Sequence, residues 1–472
     1  MKHGKIAVIG GGGAGTVAAW LLNRCHDITL FEANDYLGGH AYSHPVTTNQ
    51  GIRHIDMGVE YFNERLSPNL CALLAELDIS SYVAPLSMQV DFKDGGHFWN
   101  NLLDGGGINI ELRTEFDRFH SDMANVLSSG KTRYKKMSIG EFLNERGYSE
   151  SFREQALLPM MTVYSGCNAP SLDYTLMYVA ISFNMNLLSF FSPGYWRKAK
   201  GGINGYIAKI REQLGERVKL NTPVTRVTPV EDGVIIEFGE QKQKFEQVVF
   251  ATHADITLSL LETDEKIYRK ILGDFEYVPV KSYCHHDSRW MSKRSNNCYC
   301  QFIMPASDPS NVPNPKFGSL TRVNNILPHY HDVEQPLLVS FDPKSDISAD
   351  LISDIKTWKL PKLRPIDFYR KTRIREIQGK NNIWFCGMDI GLTGHEGAIV
   401  SAMVIADRIG EAYPWKDNTL ALIQFKVIKE IMGVYHPRER FASWIGNAGF
   451  QIAKALSLHK EQSHRFIKDL IV

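Results

Sequence analysis

The sequence predicts an α/β fold built on a Rossmann-type sheet, and three observations carry that reading. The first is a βαβ pattern at the amino end. Ile6–Ile9 is a short β-branched-rich run, Thr16–Arg24 has helical character, and Ile28–Phe31 is a second run that ends at Glu32. The second is the glycine spacing between those runs, Gly10-x-Gly12-x-x-Gly15. The third is the same strand–turn–helix pattern far along the chain. Ile383–Cys386 reads as a buried strand, a glycine-rich turn follows, and Gly397–Ile409 reads as a helix.

Each element follows from its residues. In the first helix Val17, Trp20, Leu21 and Leu22 can face a sheet. Leu66–Leu77 looks helical, and Leu112–Gly147 is helical, amphipathic and charged. Phe152–Phe191 is richer in Leu, Met, Phe and Tyr than anything before it, as a buried helix or an apolar pocket wall requires. Lys219–Val227, Val234–Phe238 and Gln247–Ala251 return to strand character, followed by Ser282–His286, Gly318–Val323 and Leu337–Phe341. Beyond Tyr413 two stretches read as helices, Leu420–Met432 and Phe441–Leu456. The first carries Leu420, Ile423, Val427, Ile431 and Met432 at helical spacing. Packing on the body of the protein is the ordinary use of such a helix; a membrane surface or a partner protein is the alternative.

Bulk properties narrow the function. The chain has 472 residues, is 43% hydrophobic and 22% charged, and carries a formal net charge of +1. That balance gives no electrostatic reason to expect nucleic acid. The seven cysteines form no CxxC pair, and Cys298 and Cys300 are too close for an easy disulfide, so free thiols in a reducing cytoplasm are expected. No apolar run approaches the roughly 20 residues of a membrane helix, and the amino end has no secretory pattern.

The glycine spacing has a physical meaning. Gly10 allows the tight turn out of the strand, Gly12 lets a pyrophosphate approach the backbone, and Gly15 allows close helix–sheet packing. A helix N-terminus favours the negative charge. Glu32, about 20 residues on, suits ribose hydroxyls and repels a 2′-phosphate, so a dinucleotide other than NADP is expected. A second doublet, Gly38-Gly39, lies in Glu32–Ser43, where a bare NAD domain has no evident use for it. A cofactor reaching past the first phosphate site does. Near the other end, Gly387 and Asp389 form a turn before Glu396-Gly397-Ala398 opens a helix. Its N-terminus can stabilise the anionic N1–C2=O edge of a reduced flavin.

Three features together resemble the flavin-containing amine oxidase superfamily. They are GGGGAG with Glu32, LGGH at Leu37–His40 where the family usually has LGGR, and F-C-G-x-D…G-x-E-G-A-I from Phe385. The chain looks most similar to a bacterial group of NAD/FAD-binding proteins often found beside fatty-acid-modifying enzymes. DMGVEYFNERLSPNLCALLAELDI, SIGEFLNERGYSESFREQALLPMMTVYSG, VKLNTPVTRV, VVFATHAD and CHHD carry that likeness. The resemblance spans most of residues 5–410. It implies a glutathione-reductase-like FAD-binding domain of Rossmann type, interleaved with an α+β substrate domain. The expected segments are 1–80, 201–275 and 371–412 for FAD, 81–200 and 276–370 for substrate, and 413–472 as a helical extension.

The resemblance also implies contacts. Gly10, Gly12, Gly13, Ala14 and Gly15 hold pyrophosphate, and Glu32 with Ala33 meets the adenosine ribose. Gly38, Gly39 and His40 lie along the phosphate–ribityl path; Met57, Gly58 and Val59 lie near the flavin; Val224 meets adenine through its backbone. Gly387, Asp389, Glu396, Gly397 and Ala398 meet ribityl and pyrimidine. His40 stands where the family has arginine. Thr393, Gly394 and His395 precede Glu396 where amine oxidases often place an aromatic that helps cage the amine. Many relatives carry a lysine near flavin N5, and Lys281 falls in that region, with a solvated lysine at a strand start as the ordinary alternative. His285 and His286 alternate along a strand and so point to opposite faces, which opposes a shared metal site.

The expectation is therefore an FAD-dependent oxidoreductase with no metal. It takes a hydride from a carbon of an apolar small molecule or acyl chain to flavin N5, desaturation being the leading reaction. The Met- and aromatic-rich stretch Met160, Met161, Tyr164, Phe183, Met185, Phe190, Phe191, Tyr195 and Trp196 favours an apolar substrate over a sugar or nucleotide. The alternatives are a redox-neutral double-bond isomerase of unsaturated acyl chains and a non-catalytic flavoprotein partner.

Overall fold

Buried, β-branched strands need cover on both faces, and the first sheet supplies it. It is parallel and five-stranded, in the order Ile383–Phe385, Gln247–Phe250, Lys5–Ile9, Asp27–Phe31, Val218–Lys219. Val8 pairs with Val249 on one side and Leu30 on the other. The helix Gly13–Leu22 is buried from Ala14 to Leu22 because it lies between the sheet and the helices Gly205–Leu214 and Gly394–Ile409. The computed structural model describes residues 4–92, 97–102, 110–165, 172–184, 196–273, 275–292, 298–304, 318–343, 345–391, 394–410 and 413–434.

One expected strand is two. Lys219–Val227 breaks after Lys219, because Asn221 takes a positive φ of 49° and Pro223 has no N–H for a ladder. The chain crosses over there. Asn221 and Thr222 donate their N–H groups to Asn34 and Glu32 carbonyls, and Val224–Val230 then starts a three-stranded antiparallel meander with Gly233–Phe238 and Gln241–Phe245.

The second sheet has seven strands, in the order Ile352–Pro361, Tyr277–His285, Leu338–Phe341, Ser319–Val323, Cys300–Met304, Met88–Phe92, His97–Asn100. Its strands come from chain segments that lie between those of the first sheet, so the two sheets alternate along the sequence. The helices Ile110–Ser128, Ile139–Arg146, Leu158–Ser165 and Leu176–Asn184 accompany it. Ser138 and Glu141 start the second of them as a capping box. Phe116, Phe119, Phe152 and Phe183 fill the space between helices, Phe116–Phe152 and Phe119–Phe183 edge to face and Phe119–Phe152 tilted.

The helix Thr419–Met432 takes the ordinary course and packs on the body of the protein. Its N-cap Asn418 accepts the Ala421 N–H at 3.1 Å, and it packs on Gly394–Ile409, Pro68–Glu76 and Pro365–Arg373. Every residue from Leu420 to Met432 is buried or half-buried, so this helix offers no free apolar face to a membrane or partner. Phe441–Leu456 lies outside the described residues. Among the described residues no helix is long and apolar enough to cross a membrane.

Candidate cofactor site

The glycine loop lies where the strand Lys5–Ile9 turns into its helix. A side chain at Gly15 would strike the Gly10 carbonyl oxygen at 1.8 Å, so only glycine fits there. At Gly12 the opposite holds: a Cβ would meet nothing within 4 Å. The helix starts at Gly13 without a side-chain cap. Open space therefore faces an uncapped helix N-terminus, the chemistry a pyrophosphate requires.

The second doublet belongs to the same cradle. Gly38 donates its N–H to the Gly11 carbonyl at 2.8 Å, Gly12 and Gly38 form a parallel bridge, and a Cβ on Gly39 would lie 3.2 Å from the Gly12 Cα. Glu32 sits at the floor, accepting the Gly11 N–H at 2.6 Å and both the backbone and side-chain N–H of Asn34. Ala33 beside it is exposed. Thr222 N–H meets the Glu32 carbonyl at 2.9 Å, which sets Val224 two residues from the same corner.

The path continues from Gly39 to His40. The His40 carbonyl accepts the Val59 N–H at 2.9 Å, and its ring meets the edge of Trp358 with centroids 5.1 Å apart. Trp358 donates its indole N–H to the Met57 carbonyl at 3.1 Å and to Ser282 Oγ at 2.8 Å. Met57, Gly58 and Val59 thus lie on one wall with His40 and Trp358. Burial, with His253 and His395 nearby, pushes the His40 imidazole down to about 4. It is neutral at pH 7 and does not replace the charge of an arginine.

The distant turn closes the opposite side. Asp389 is buried, and its Oδ2 accepts the Ala254 N–H at 2.9 Å and the Tyr277 hydroxyl at 2.6 Å, with His253 Nδ1 at 3.3 Å. Burial opposes its ionisation, but the His253 and Tyr277 bonds and the Lys371 charge outweigh it and hold the carboxyl below its usual range. Its Oδ1 is buried with no hydrogen-bond partner. Such an acceptor needs a donor, and a ribityl hydroxyl is one. Gly387 donates its N–H to Ser401 Oγ at 2.8 Å, and a Cβ on Gly391 would meet the Gly397 carbonyl oxygen at 2.3 Å, so the turn sits on the first turn of Gly394–Ile409. Gly397 and Ala398 are buried there.

Two expected roles change. The Glu396 carboxylate is taken up by another helix: it accepts the Asn69 N–H at 2.9 Å, the Asn69 amide at 3.0 Å and the Leu70 N–H at 2.9 Å. It caps the helix Pro68–Glu76, and burial raises it to about 7. Lys281 is exposed on its strand, between the buried Val280 and Ser282. Side chains alternate across a strand, so Lys281 faces away from the Ser282–Trp358–Met57 wall. His285 and His286 also separate, one against Ser340 Oγ, the other against the Pro336 carbonyl and Ser353 Oγ.

The buried lysines are elsewhere, and the sequence reading missed both. Lys371 donates to the Met388 and Gly391 carbonyls at 2.8 and 2.9 Å, and burial lowers it to about 8. It ties down the turn that carries Asp389. Lys198 lies 2.7 Å from Glu60 and 3.5 Å from Asp56, with all three side chains almost fully enclosed. Arg322 adds a contact to Glu60 at 3.0 Å and donates to the Gly58 carbonyl at 3.2 Å. Tyr299 donates to Glu60, and Ser43 and the Ile203 N–H donate to Asp56. Burial disfavours the Lys198 charge, yet Glu60 and Asp56 overcome it and raise its pKa. The acids flank Met57, Gly58 and Val59, so Lys198 clamps both ends of that wall. His253, Tyr206 and His395 were also missed; Tyr206 bonds His395 at 2.9 Å beside Gly13.

Comparison with known proteins fits this geometry. The model of flavin containing amine oxidoreductases matches residues 14–280. The chain belongs to that family. FAD is the cofactor of this flavoprotein, and the cradle from Glu32 to Asp389 suits it: an open Gly12, an uncapped helix N-terminus and an unpartnered Asp389 oxygen. Amine oxidase [flavin-containing] A of Canis lupus familiaris is 25% identical over 340 residues, 65% of this chain and 61% of that relative. The flavoprotein therefore spans about six-tenths of the length of that relative. Cyclohexylamine oxidase from Brevibacterium oxydans has a similar fold, with a TM-score of 0.65 at 15% identity over 86% of this chain and 99% of the other. A CLA-producing fatty acid isomerase from P. acnes gives 0.63 at 15% identity over 87% and 99%. The family match starts at residue 14 and ends at 280, so Gly10, Gly12 and the Gly387–Ala398 turn rest on geometry.

Proposed function

We propose that this FAD-dependent oxidoreductase oxidises a carbon of an apolar small molecule or acyl chain, with desaturation as the reaction. Bound FAD supplies the hydride acceptor, N5. One observation carries the substrate class: His395, the residue before Glu396, turns to Tyr206 and Gly13 instead of offering an aromatic wall for an amine. A second feature supports it. Tyr61, Trp196 and Tyr299 pack beside the Met57–Val59 wall, 5.4–6.0 Å from Tyr61 to its neighbours, with Lys198 over the Tyr61 and Tyr299 rings. Methylene groups pack well on such aromatic faces. Met160, Met161 and Phe183 are buried in the same domain; Met185, Phe190, Phe191 and Tyr195 lie outside the described residues, as does the side chain of Tyr164.

The chain's own residues have positioning roles in this reading. Lys371 and Ser401 fix the Asp389 turn, Lys198 and Arg322 fix the Met57–Val59 wall, and neutral His40 and His395 keep charge out of the cavity between them. Cytoplasmic location belongs to the same proposal. The test is anaerobic mixing of holoenzyme with acyl substrates. Lasting loss of flavin colour with an unsaturated product supports the proposal. Product without lasting loss assigns a double-bond isomerase, and neither product nor colour change across acyl and other apolar substrates assigns a non-catalytic partner.

A further inference from the structure

The helix Pro365–Arg373 is inside out. Its charged Asp367 and Lys371 are buried, at 1% and 4% exposure, while Ile366 and Tyr369 stand 46% and 60% exposed. The inner face has a reason: Asp367 binds Arg364 and Arg370, and Lys371 holds the Met388 and Gly391 carbonyls. The outer face has none within the fold. Ile366, Tyr369 and Arg373 lie three and seven residues apart and share that side.

The surroundings are basic. The turn Thr132–Lys136 lies against this helix and brings Lys131, Arg133, Lys135 and Lys136 with it. Residues 131–136 and 359–376 hold eleven lysines and arginines and two acids, in a chain whose net charge is only +1. Acids from neighbouring elements meet part of this charge: Glu145 pairs with Arg133, Glu276 with Lys362 and Arg364, Asp255 with Lys359, and Glu376 with Arg373. Lys131, Lys135 and Lys136 have no carboxylate partner among the described residues. An exposed aliphatic and a tyrosine within a basic field match the headgroup region of an anionic bilayer, where apolar side chains insert, tyrosine sits at the interface and lysine meets phosphate.

We propose that this face docks the protein peripherally on an anionic phospholipid surface. The docking helix is the one whose inner side ties down the Asp389 turn, so the cofactor site lies directly beneath the docked face. This inference stands on the surface alone and does not depend on the substrate class.

Flotation of the full-length holoprotein with vesicles tests it, using phosphatidylcholine with and without phosphatidylglycerol. The protein floats with the anionic vesicles and not the neutral ones, and added salt releases it. Combined Lys131→Gln, Lys135→Gln and Lys136→Gln weakens partitioning about 100-fold, from about fivefold per basic residue near an anionic surface. Ile366→Ser with Tyr369→Ser weakens it about tenfold or more. All five side chains lie outside the core, and retained flavin content shows that the variants fold. Equal binding to neutral vesicles, no flotation, or flotation unchanged in both variants overturns the proposal. So does retention on DNA without binding to vesicles.

Discussion

Replacing Lys198 by methionine tests the clamp on the Met57–Val59 wall. The ammonium sits between two carboxylates, 2.7 Å from Glu60 and 3.5 Å from Asp56, with no solvent access. Methionine keeps most of the volume and removes the charge. Glu60 then keeps Arg322, while Asp56 keeps only the Ser43 hydroxyl and the Ile203 N–H and has no cation beside it. Removing one partner of a buried ion pair costs about 3–5 kcal/mol, a large part of the roughly 5–15 kcal/mol that holds a domain folded. Burial already pushes the Asp56 carboxyl up with Lys198 present; without it, a carboxyl in the pair binds a proton well above its unfolded pKa. A raised acid contributes stability below its unfolded pKa and loses it as pH rises through the folded one. The deficit against wild type is therefore larger at pH 8 than at pH 5. Urea unfolding at both values, with FAD per polypeptide measured alongside, reads the effect. Adding Asp56→Asn removes the stranded charge and recovers part of the loss. A K198M protein within about 1 kcal/mol of wild type, with full flavin and no pH-dependent deficit, refutes the clamp.

Other outcomes follow from the same geometry. In flavin-free protein, His40 and His395 are held at about 4 by burial, so stability falls as pH drops from about 6.5 towards 4, by up to about 3 kcal/mol per ring; a flat urea midpoint across that window contradicts their burial as neutral rings. Gly12→Ala enters open space at a backbone angle any residue adopts. Flavin-free stability therefore changes by under about 1 kcal/mol while flavin content collapses, and full flavin retention rejects the pyrophosphate seat. Lys371→Met frees the turn that carries Asp389 and lowers FAD affinity at least about tenfold, since two hydrogen bonds from a charged donor are lost; equilibrium dialysis with FAD checks it. Lys281→Met leaves flavin content and reoxidation unchanged, because the side chain is exposed on the far face; altered reoxidation kinetics return Lys281 to the flavin.

The parallel sheet and its glycine turns were legible in the sequence because local chemistry dictates them. A β-branched run, a Cβ-free turn and a helix leave few alternatives, and the structure sets Gly12 against Gly38–Gly39, with Gly10 and Gly387 both against Ala251. What was illegible depended on tertiary partners. Ile352–Pro361 carries Asp354, Lys356 and Lys359 along an edge of the second sheet, so it shows no apolar alternation of the usual kind. Glu396 was given as a cofactor contact by the resemblance alone, but its carboxylate partners are groups of Asn69 and Leu70, 327 and 326 residues away. Lys198 and Glu60, 138 residues apart, carry no local pattern that pairs them. The one available signal was the pair of acids bracketing Met57–Val59. Lys281 was chosen by region alone, and the register of its strand sets it on the wrong face.

The central claim is that this flavoprotein oxidises apolar carbon, not amines. Anaerobic titration of the holoenzyme with acyl chains presented in vesicles, and separately with primary amines, tests it most directly. Lasting loss of flavin absorbance with the acyl chains, and none with the amines, is the predicted result. Loss with amines alone contradicts the account.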